Sequence, residues 1–461
     1  MIIKKYFNIL KFYTVSEILA KGLNWLLLII LPKIISVDVF GVIALLVAFE
    51  NFILPISLNG QNVTILRFLH RFYSLKNSFL KSVLIILLKW NLIIIPLSIT
   101  IALIFFKSVS FIIIAIIVPM LAIREIVLNY LRVTENTKNY LSIRVTFQLI
   151  KFLLVLGLAI FFPNSSLTYP VGLLIATVIS LEQIYIKLKD EFVIKDIIKA
   201  TDKLSKMFFL FGFPIVFHGL SNAIIMFSDR YMIDFFLGKY YIGLYSVAYS
   251  ISFSLFFILY IGGLIFQPFL YKSKNNNRKS EVYLTLYTNS IFVVIALAAI
   301  FMIILFPYLI KLYPNDYLTI GDVFIVLVFT NLFIPFYHQG NYRLTLKNKT
   351  QFLPLASASA GVLNIGLNIF FIPKYGIIGA AYSSMFANIL LMLIVNLASY
   401  SFFRMNNIVI ILLLIVGAFI IFIYQEMLFV ISYMIIIYIV LSFVNTFFVY
   451  KNINYETENN L

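Results

Sequence analysis

The sequence contains no cysteine, so neither disulfides nor thiolate chemistry is available to it. It is also poor in charge. Asp, Glu, Lys and Arg make up 11% of 461 residues, where a soluble domain carries about a quarter. Acidic residues are the scarcest, 18 against 35 Lys and Arg. The three histidines lie far apart, and with no cysteine beside them they form no metal-binding spacing. HExxH, GxSxG and the phosphate-binding P-loop are absent. No catalytic residue, metal or organic cofactor is therefore expected. A transporter without a nucleotide-binding domain would draw instead on an ion gradient, H+ or Na+.

What is present is apolar sequence. The chain is 62% hydrophobic with mean hydropathy +1.04. Runs of about 20 apolar residues, the length that crosses a bilayer, recur throughout. They predict helices near 12–35, 39–64, 82–106, 110–132, 141–162, 168–187, 207–237, 241–269, 283–310, 318–344, 351–373 and 376–401, with two more near 407–424 and 427–449. The fold class is an all-α polytopic membrane protein of about 14 spans. No small-residue cleavage site follows the first apolar stretch, so that helix is expected to be retained.

The net charge of +17 reads as topology rather than as an affinity for nucleic acid. With the N-terminus inside, the inner connections, among them Arg132 to Arg144 and Arg343 to Lys349, hold 25 Lys and Arg and the outer ones five: Lys33, Lys107, Lys239, Lys311 and Lys374. Positive residues favour the cytoplasmic side. Both termini are therefore expected in the cytoplasm, which also requires an even number of spans.

The chain repeats itself. The stretch NYLRVTENTKNYL from Asn129 resembles NYRLTLKNKTQFL from Asn341, and Phe40-Gly41-Val42 resembles Ile242-Gly243-Leu244. Six-helix repeats enter the membrane in the same sense, which predicts two lobes related by a pseudo-two-fold along the membrane normal, with a cavity between them. The expected divisions are residues 1–200 (six helices and a linker), 201–402 (six helices), and 403–461 (two extra helices and a tail). The basic segment 188–206 fits either a short amphipathic helix or a solvated linker.

Charges inside the spans are costly, about 2.5–3.5 kcal/mol each on insertion scales, and they usually face a bundle interior or a wet cavity. Five cations stand there: Lys21, Lys89, Arg124, Lys151 and Arg230. They are the candidates for a cationic lining, which suits an anionic headgroup such as a diphosphate. Glu17 lies four residues before Lys21 and can pair with it. Arg124 and Glu125 point about 100° apart and are not expected to neutralise each other simply. Asp229 and Arg230 diverge in the same way. Lys89 is near enough to the inner interface to snorkel. Glu50 has no evident local partner and is an ion-coupling candidate, as are Asp229, Glu17 and His218. His218 equally fits a helix-packing role. His338, Gln339 and Asn341 follow Pro335 and suggest either a sugar-facing polar stretch or side chains that satisfy a kink.

Two stretches resemble a known family. NIGLNIFFIPKYGIIGAA, Asn364 to Ala381, is similar to the hairpin between helices eleven and twelve of the polysaccharide-transport family. DRYMIDFFLGKYYIGLYSVAY, Asp229 to Tyr249, is similar to that family's pattern around helices seven and eight. The resemblance covers roughly residues 10–400. The family includes the Wzx-type O-antigen flippases and belongs to the superfamily of multidrug, oligosaccharidyl-lipid and polysaccharide (MOP) exporters.

The resemblance implies a MATE-like fold and a flippase of the bacterial inner membrane. Its cargo would be undecaprenyl-diphosphate-linked oligosaccharide, such as an O-antigen unit, moved by alternating access. Its partners would be membrane lipid, a polysaccharide polymerase and a chain-length regulator. It also assigns the Asp229-Arg230 pair a structural role, locking helix seven to a neighbour. Other readings stay open: a lipid II flippase, since that family also has 14 helices, and a drug or cation antiporter of the same fold, whose cavity should be acidic or hydrophobic. A membrane-embedded polymerase or acyltransferase is disfavoured, because the longest outer connection, near Tyr313 to Leu318, is short.

Overall fold

The computed structural model describes residues 2–192, 201–273, 276–399 and 414–417. Fifteen helices are delimited among them, and no strand. They are α1 Ile2–Ile30, α2 Val37–Leu58, α3 Gln61–Phe68, α4 Lys76–Ile101, α5 Val109–Val133, α6 Thr137–Phe161, α7 Thr168–Phe192 and α8 Thr201–Phe236. Then follow α9 Lys239–Ser252, α10 Leu255–Lys272, α11 Asn277–Ile310, α12 Gly321–Thr330, α13 Ile334–Leu346, α14 Phe352–Tyr375 and α15 Ile377–Ala398.

Among the described residues, ten helical stretches are long and apolar enough to cross a membrane, and eleven if α9 and α10, bent by 41° at their junction, count as one span. Their outer faces carry large apolar side chains such as Leu92, Phe105, Phe161, Val362 and Phe370, all more than two-thirds exposed. In water such surfaces would aggregate, whereas in lipid they are at home. The chain is a multi-pass membrane protein. The two spans expected at 407–424 and 427–449 fall almost wholly outside the described residues. Of the 188–206 linker, 188–192 end α7, 201–206 begin α8, and 193–200 lie outside the described residues.

Two compact units divide the chain, Met1–Arg230 and Tyr231–Leu461. The division falls inside α8, about 30 residues later than the expected 200. The reason is local packing. The first part of α8 presses two glycines, two turns apart on one face, against the end of α2. A Cβ on Gly212 would stand 2.2 Å from the Asn59 carbonyl oxygen, and one on Gly219 2.9 Å from Pro55. This half of α8 is therefore built into the first unit.

The second expected span, 39–64, is broken. Asn59 and Gly60 both take left-handed conformations, φ 47° and φ 68°. The break leaves the last carbonyls of α2 without helical partners. Residues on α4 supply them: Trp90 Nε1 donates to the Ile56 carbonyl (2.8 Å) and Asn91 Nδ2 to that of Ser57 (3.1 Å), while Ser57 Oγ donates to Asn91 Oδ1 (2.6 Å). Trp90 and Asn91, polar within an apolar run, are there to satisfy backbone at membrane depth.

The internal repeat is visible in one turn. Glu135 (φ 56°) and Asn348 (φ 57°) are both left-handed residues closing a helix. Around them the same pair of bonds recurs: Asn136 N–H to Leu131 O (2.9 Å) and Lys349 N–H to Leu344 O (2.8 Å). This is the helix-ending motif in which a left-handed residue returns two N–H groups to the last turn. It sets the register at 213, one residue away from the 212 that aligns Asn129 with Asn341.

In the second unit, α14 and α15 form the expected hairpin, turning at Gly376 (φ 65°). Gly379 allows the close approach: a Cβ there would lie 2.2 Å from the Phe371 carbonyl oxygen. The expected kink in the tenth span lies just before Pro335, in a 3-10 turn over Asn331–Phe333. Asn331 Nδ2 satisfies it by donating to Leu327 O (2.8 Å) and Ser252 O (3.3 Å).

Candidate functional site

Two helices of the first unit carry polar residues at the same spacing. On α1 these are Tyr13, Glu17, Lys21 and Asn24; on α6 they are Tyr140, Arg144, Gln148 and Lys151. Steps of four, four and three keep each set on one helical face. The two faces meet in register at an offset of 127. Tyr13 and Tyr140 rings lie edge to face at 4.8 Å. Arg144 Nε is 3.0 Å from Glu17 Oε1. Lys151 Nζ donates to Asn24 Oδ1 at 3.1 Å. A polar seam thus runs between two parallel membrane helices.

Neighbouring helices extend the seam at two points. From α5, Glu125 Oε1 accepts from Arg144 Nη1 (2.9 Å) and Arg124 Nη1 (2.8 Å). Tyr140 donates to Glu17 Oε1 at 2.7 Å. Lys21 interacts electrostatically with both Glu17 and Arg144. At the other end, Lys151 donates to the Tyr169 hydroxyl of α7 (3.3 Å), and that hydroxyl donates to Glu50 Oε2 of α2 (2.8 Å). Gln148 Nε2 donates to Asn24 Oδ1 at 3.3 Å. Arg124 and Lys151 are buried, and Arg124 stacks on Phe147 with its guanidinium carbon 3.8 Å from the ring centre.

Several sequence expectations are corrected here. Arg124 and Glu125 do pair, although their backbone directions diverge, because the long guanidinium arm reaches round the helix. Glu17 is shared with Arg144 and Tyr140 rather than left to Lys21. Glu50 has a partner in Tyr169, 119 residues away. Arg144 was counted with the cytoplasmic connections and is instead a hub within the membrane helices. Lys89 is exposed and lies outside the cluster. The signal that reveals Arg144, Gln148, Asn24 and Tyr169 is the matched spacing of α1 and α6, with tyrosines at their ends.

The remaining candidates stand apart from this cluster. Arg230 is buried, donates to Met226 O at 2.8 Å within its own helix and lies over Phe227; Asp229 is buried beside it. His218 Nε2 is 3.3 Å from Asn222 Nδ2 on the same helix. In the second unit, His338 lies between Tyr337 and Tyr342, Gln339 is buried, and the Asn341 carbonyl accepts from Thr345.

The two units differ in charge at matched places. With the register of 213, the α6 stripe maps to Leu353, Ser357, Gly361 and Asn364 of α14, which carry none. The second unit holds its main ion pair near the helix ends instead. Buried Arg343 of α13 makes a two-pronged bond to Glu281 of α11, Nε to Oε2 2.9 Å and Nη2 to Oε2 2.6 Å. Arg343 too was assigned to a connection by its sequence context.

This all-helical fold is similar to those of solved transporters of the MOP superfamily. It is similar to an inward-facing multidrug-resistance MATE transporter (TM-score 0.68, 14% identity, 84% of this chain and 96% of that one). It is similar to the lipid II flippase MurJ in an inward closed conformation (TM-score 0.62, 17% identity, 96% and 99%). It is also similar to a MOP transporter of Pyrococcus furiosus noted for the reverse polarity of its binding pocket (TM-score 0.54, 14% identity, 85% and 96%). The family model of polysaccharide biosynthesis proteins matches residues 10–261, more than half the chain, and the chain belongs to that family. No curated protein matches the sequence.

Proposed function

We propose that this chain is a flippase that moves undecaprenyl-diphosphate-linked oligosaccharide, an O-antigen or similar surface-polysaccharide unit, from the inner to the outer leaflet of the bacterial inner membrane. The observation that carries the reading is the buried cationic network of α1, α5 and α6, in a chain of the polysaccharide biosynthesis family. Cations at membrane depth are retained for a purpose, and Arg and Lys suit a phosphate-bearing headgroup. The uncharged polar groups of the second unit, among them Gln339 and His338, fit contacts to sugar hydroxyls.

Coupling to an H+ or Na+ gradient would use Glu50, whose carboxylate is tied through Tyr169 to Lys151. Both termini lie in the cytoplasm in this reading, and a polymerase and a chain-length regulator would take the product onward. Lipid II is the second cargo to consider, because the likeness to MurJ spans nearly all of both chains. A drug or cation antiporter fits less well, since a cationic lining repels cations.

Complementation tests this. The chain is expressed in a bacterium lacking its O-antigen flippase and, separately, in one depleted of its lipid II flippase. Restored surface polymer supports the proposal, and rescued growth in the second strain points to lipid II. Drug resistance without either would sink the flippase reading.

A further inference from the structure

Arg124 is held on two sides. Nη1 bonds Glu125 at 2.8 Å, and the guanidinium plane lies on Phe147. Its other two nitrogens, Nε and Nη2, are buried and meet no acceptor among the described residues. Those two N–H groups form one edge of the guanidinium and point in parallel, the geometry that grips two oxygens of a carboxylate or phosphate. Leaving buried charged donors without acceptors is costly. The edge is oriented from two sides and left uncapped by the described residues.

Charge counting says what it receives. Around Arg124 stand Lys21 and Arg144 against Glu17 and Glu125, which leaves one positive charge over. Lys151 and Glu50, joined through Tyr169, cancel. The cluster is one negative charge short of neutral, and the Nε–Nη2 edge of Arg124 is the uncapped one.

We infer that the Nε–Nη2 edge of Arg124 binds two oxygens of a single anionic group on the transported molecule, contributing about one negative charge. This deepens the flippase reading and rests on it for the nature of the cargo. The oxyanion has two sources, a phosphate of the lipid headgroup or the carboxylate of an acidic sugar. Phe147 is a positioning residue here, keeping the edge aimed.

The test uses the full chain, purified in detergent, and three probes: undecaprenyl phosphate, methyl glucuronide and the neutral methyl glucoside, with affinities measured by calorimetry. The expected result is that the wild type binds one of the anions and not the glucoside. Arg124→Lys, which keeps charge but loses the edge, should weaken that anion about tenfold, and Arg124→Gln about a hundredfold. Loss confined to undecaprenyl phosphate names the headgroup as source; loss confined to the glucuronide names the sugar. Phe147→Leu leaves every charge in place and should weaken the same probe several-fold, so it carries the test should Arg124→Gln not fold.

Equal affinity for the glucoside, binding of neither anion, or unchanged anion binding in Arg124→Gln and Phe147→Leu would overturn the inference. Translocation by the wild type together with unchanged binding in those variants would sink this site and leave the flippase standing. Anion binding through Arg124 in a chain that translocates nothing would do the reverse.

Discussion

Replacing Glu281 should destabilise the protein far more than replacing its partner Arg343. The asymmetry is set by burial: side-chain exposure is 2% for Arg343 and 44% for Glu281. Glu281→Ala strips a buried guanidinium of its two-pronged acceptor. Breaking a buried pair in this way costs about 3–5 kcal/mol. Arg343→Met removes the buried charge and keeps most of its volume. The Glu281 left behind can hydrate, so the loss should be about 1 kcal/mol. The double variant has neither charge and should lie close to Arg343→Met alone. The interaction term of the cycle is then about 3–5 kcal/mol in favour of the pair, at or above the top of the range for contacting residues. SDS titration of the purified protein in mixed micelles, followed by circular dichroism, gives the four stabilities. Equal losses for the two single variants would refute the burial argument. So would additive losses in the double variant, which would mean that the two groups do not act as a pair.

Other outcomes follow from the first unit. Gly60→Ala puts a methyl 2.4 Å from the Gly212 Cα at a left-handed backbone and should cost about 2–5 kcal/mol, read in the same titration. Tyr169→Phe removes the hydroxyl joining Lys151 to Glu50 and should cost about 1–3 kcal/mol, because both charges lose a buried partner. Asn91→Leu leaves the Ser57 backbone and hydroxyl unsatisfied and should cost about 1–3 kcal/mol as well. Lys89→Gln, exposed and outside the cluster, should change stability by less than about 0.5 kcal/mol and leave surface-polymer display in the complemented strain as it was.

What the sequence made legible depended on signals carried by local chemistry. Apolar length marked the spans, because bilayer thickness sets it. The Pro-Lys-Tyr-Gly run marked the α14–α15 hairpin, because only glycine takes the turn conformation there and only glycine at 379 allows the close approach. The first to fail was the division of intramembrane from connecting residues. Arg144 and Arg343 lie within a turn or so of polar connections and were read as part of them, yet both are held inside by carboxylates distant in sequence, Glu17 and Glu125 for one and Glu281 for the other. The pairing of Arg124 with Glu125 was missed for another reason: helical angle describes where a side chain starts, and a guanidinium ends several ångströms further on. The break at Asn59-Gly60 carried a local signal, an Asn-Gly pair in the polar stretch SLNGQN, but the apolar residues on either side led the expected span to run through it. The parallel seam of α1 and α6 was available from spacing alone, since Tyr13, Glu17, Lys21 and Asn24 repeat the steps of Tyr140, Arg144, Gln148 and Lys151.

Translocation itself can be measured. The full chain is reconstituted into liposomes carrying a fluorescent undecaprenyl-diphosphate-linked oligosaccharide in both leaflets, and a membrane-impermeant reagent quenches the outer pool. Flipping predicts that fluorescence falls below the half protected in protein-free liposomes, that the extra loss scales with protein added, and that Arg124→Gln abolishes it. A protected half that persists with folded, correctly inserted protein would contradict transport of this cargo.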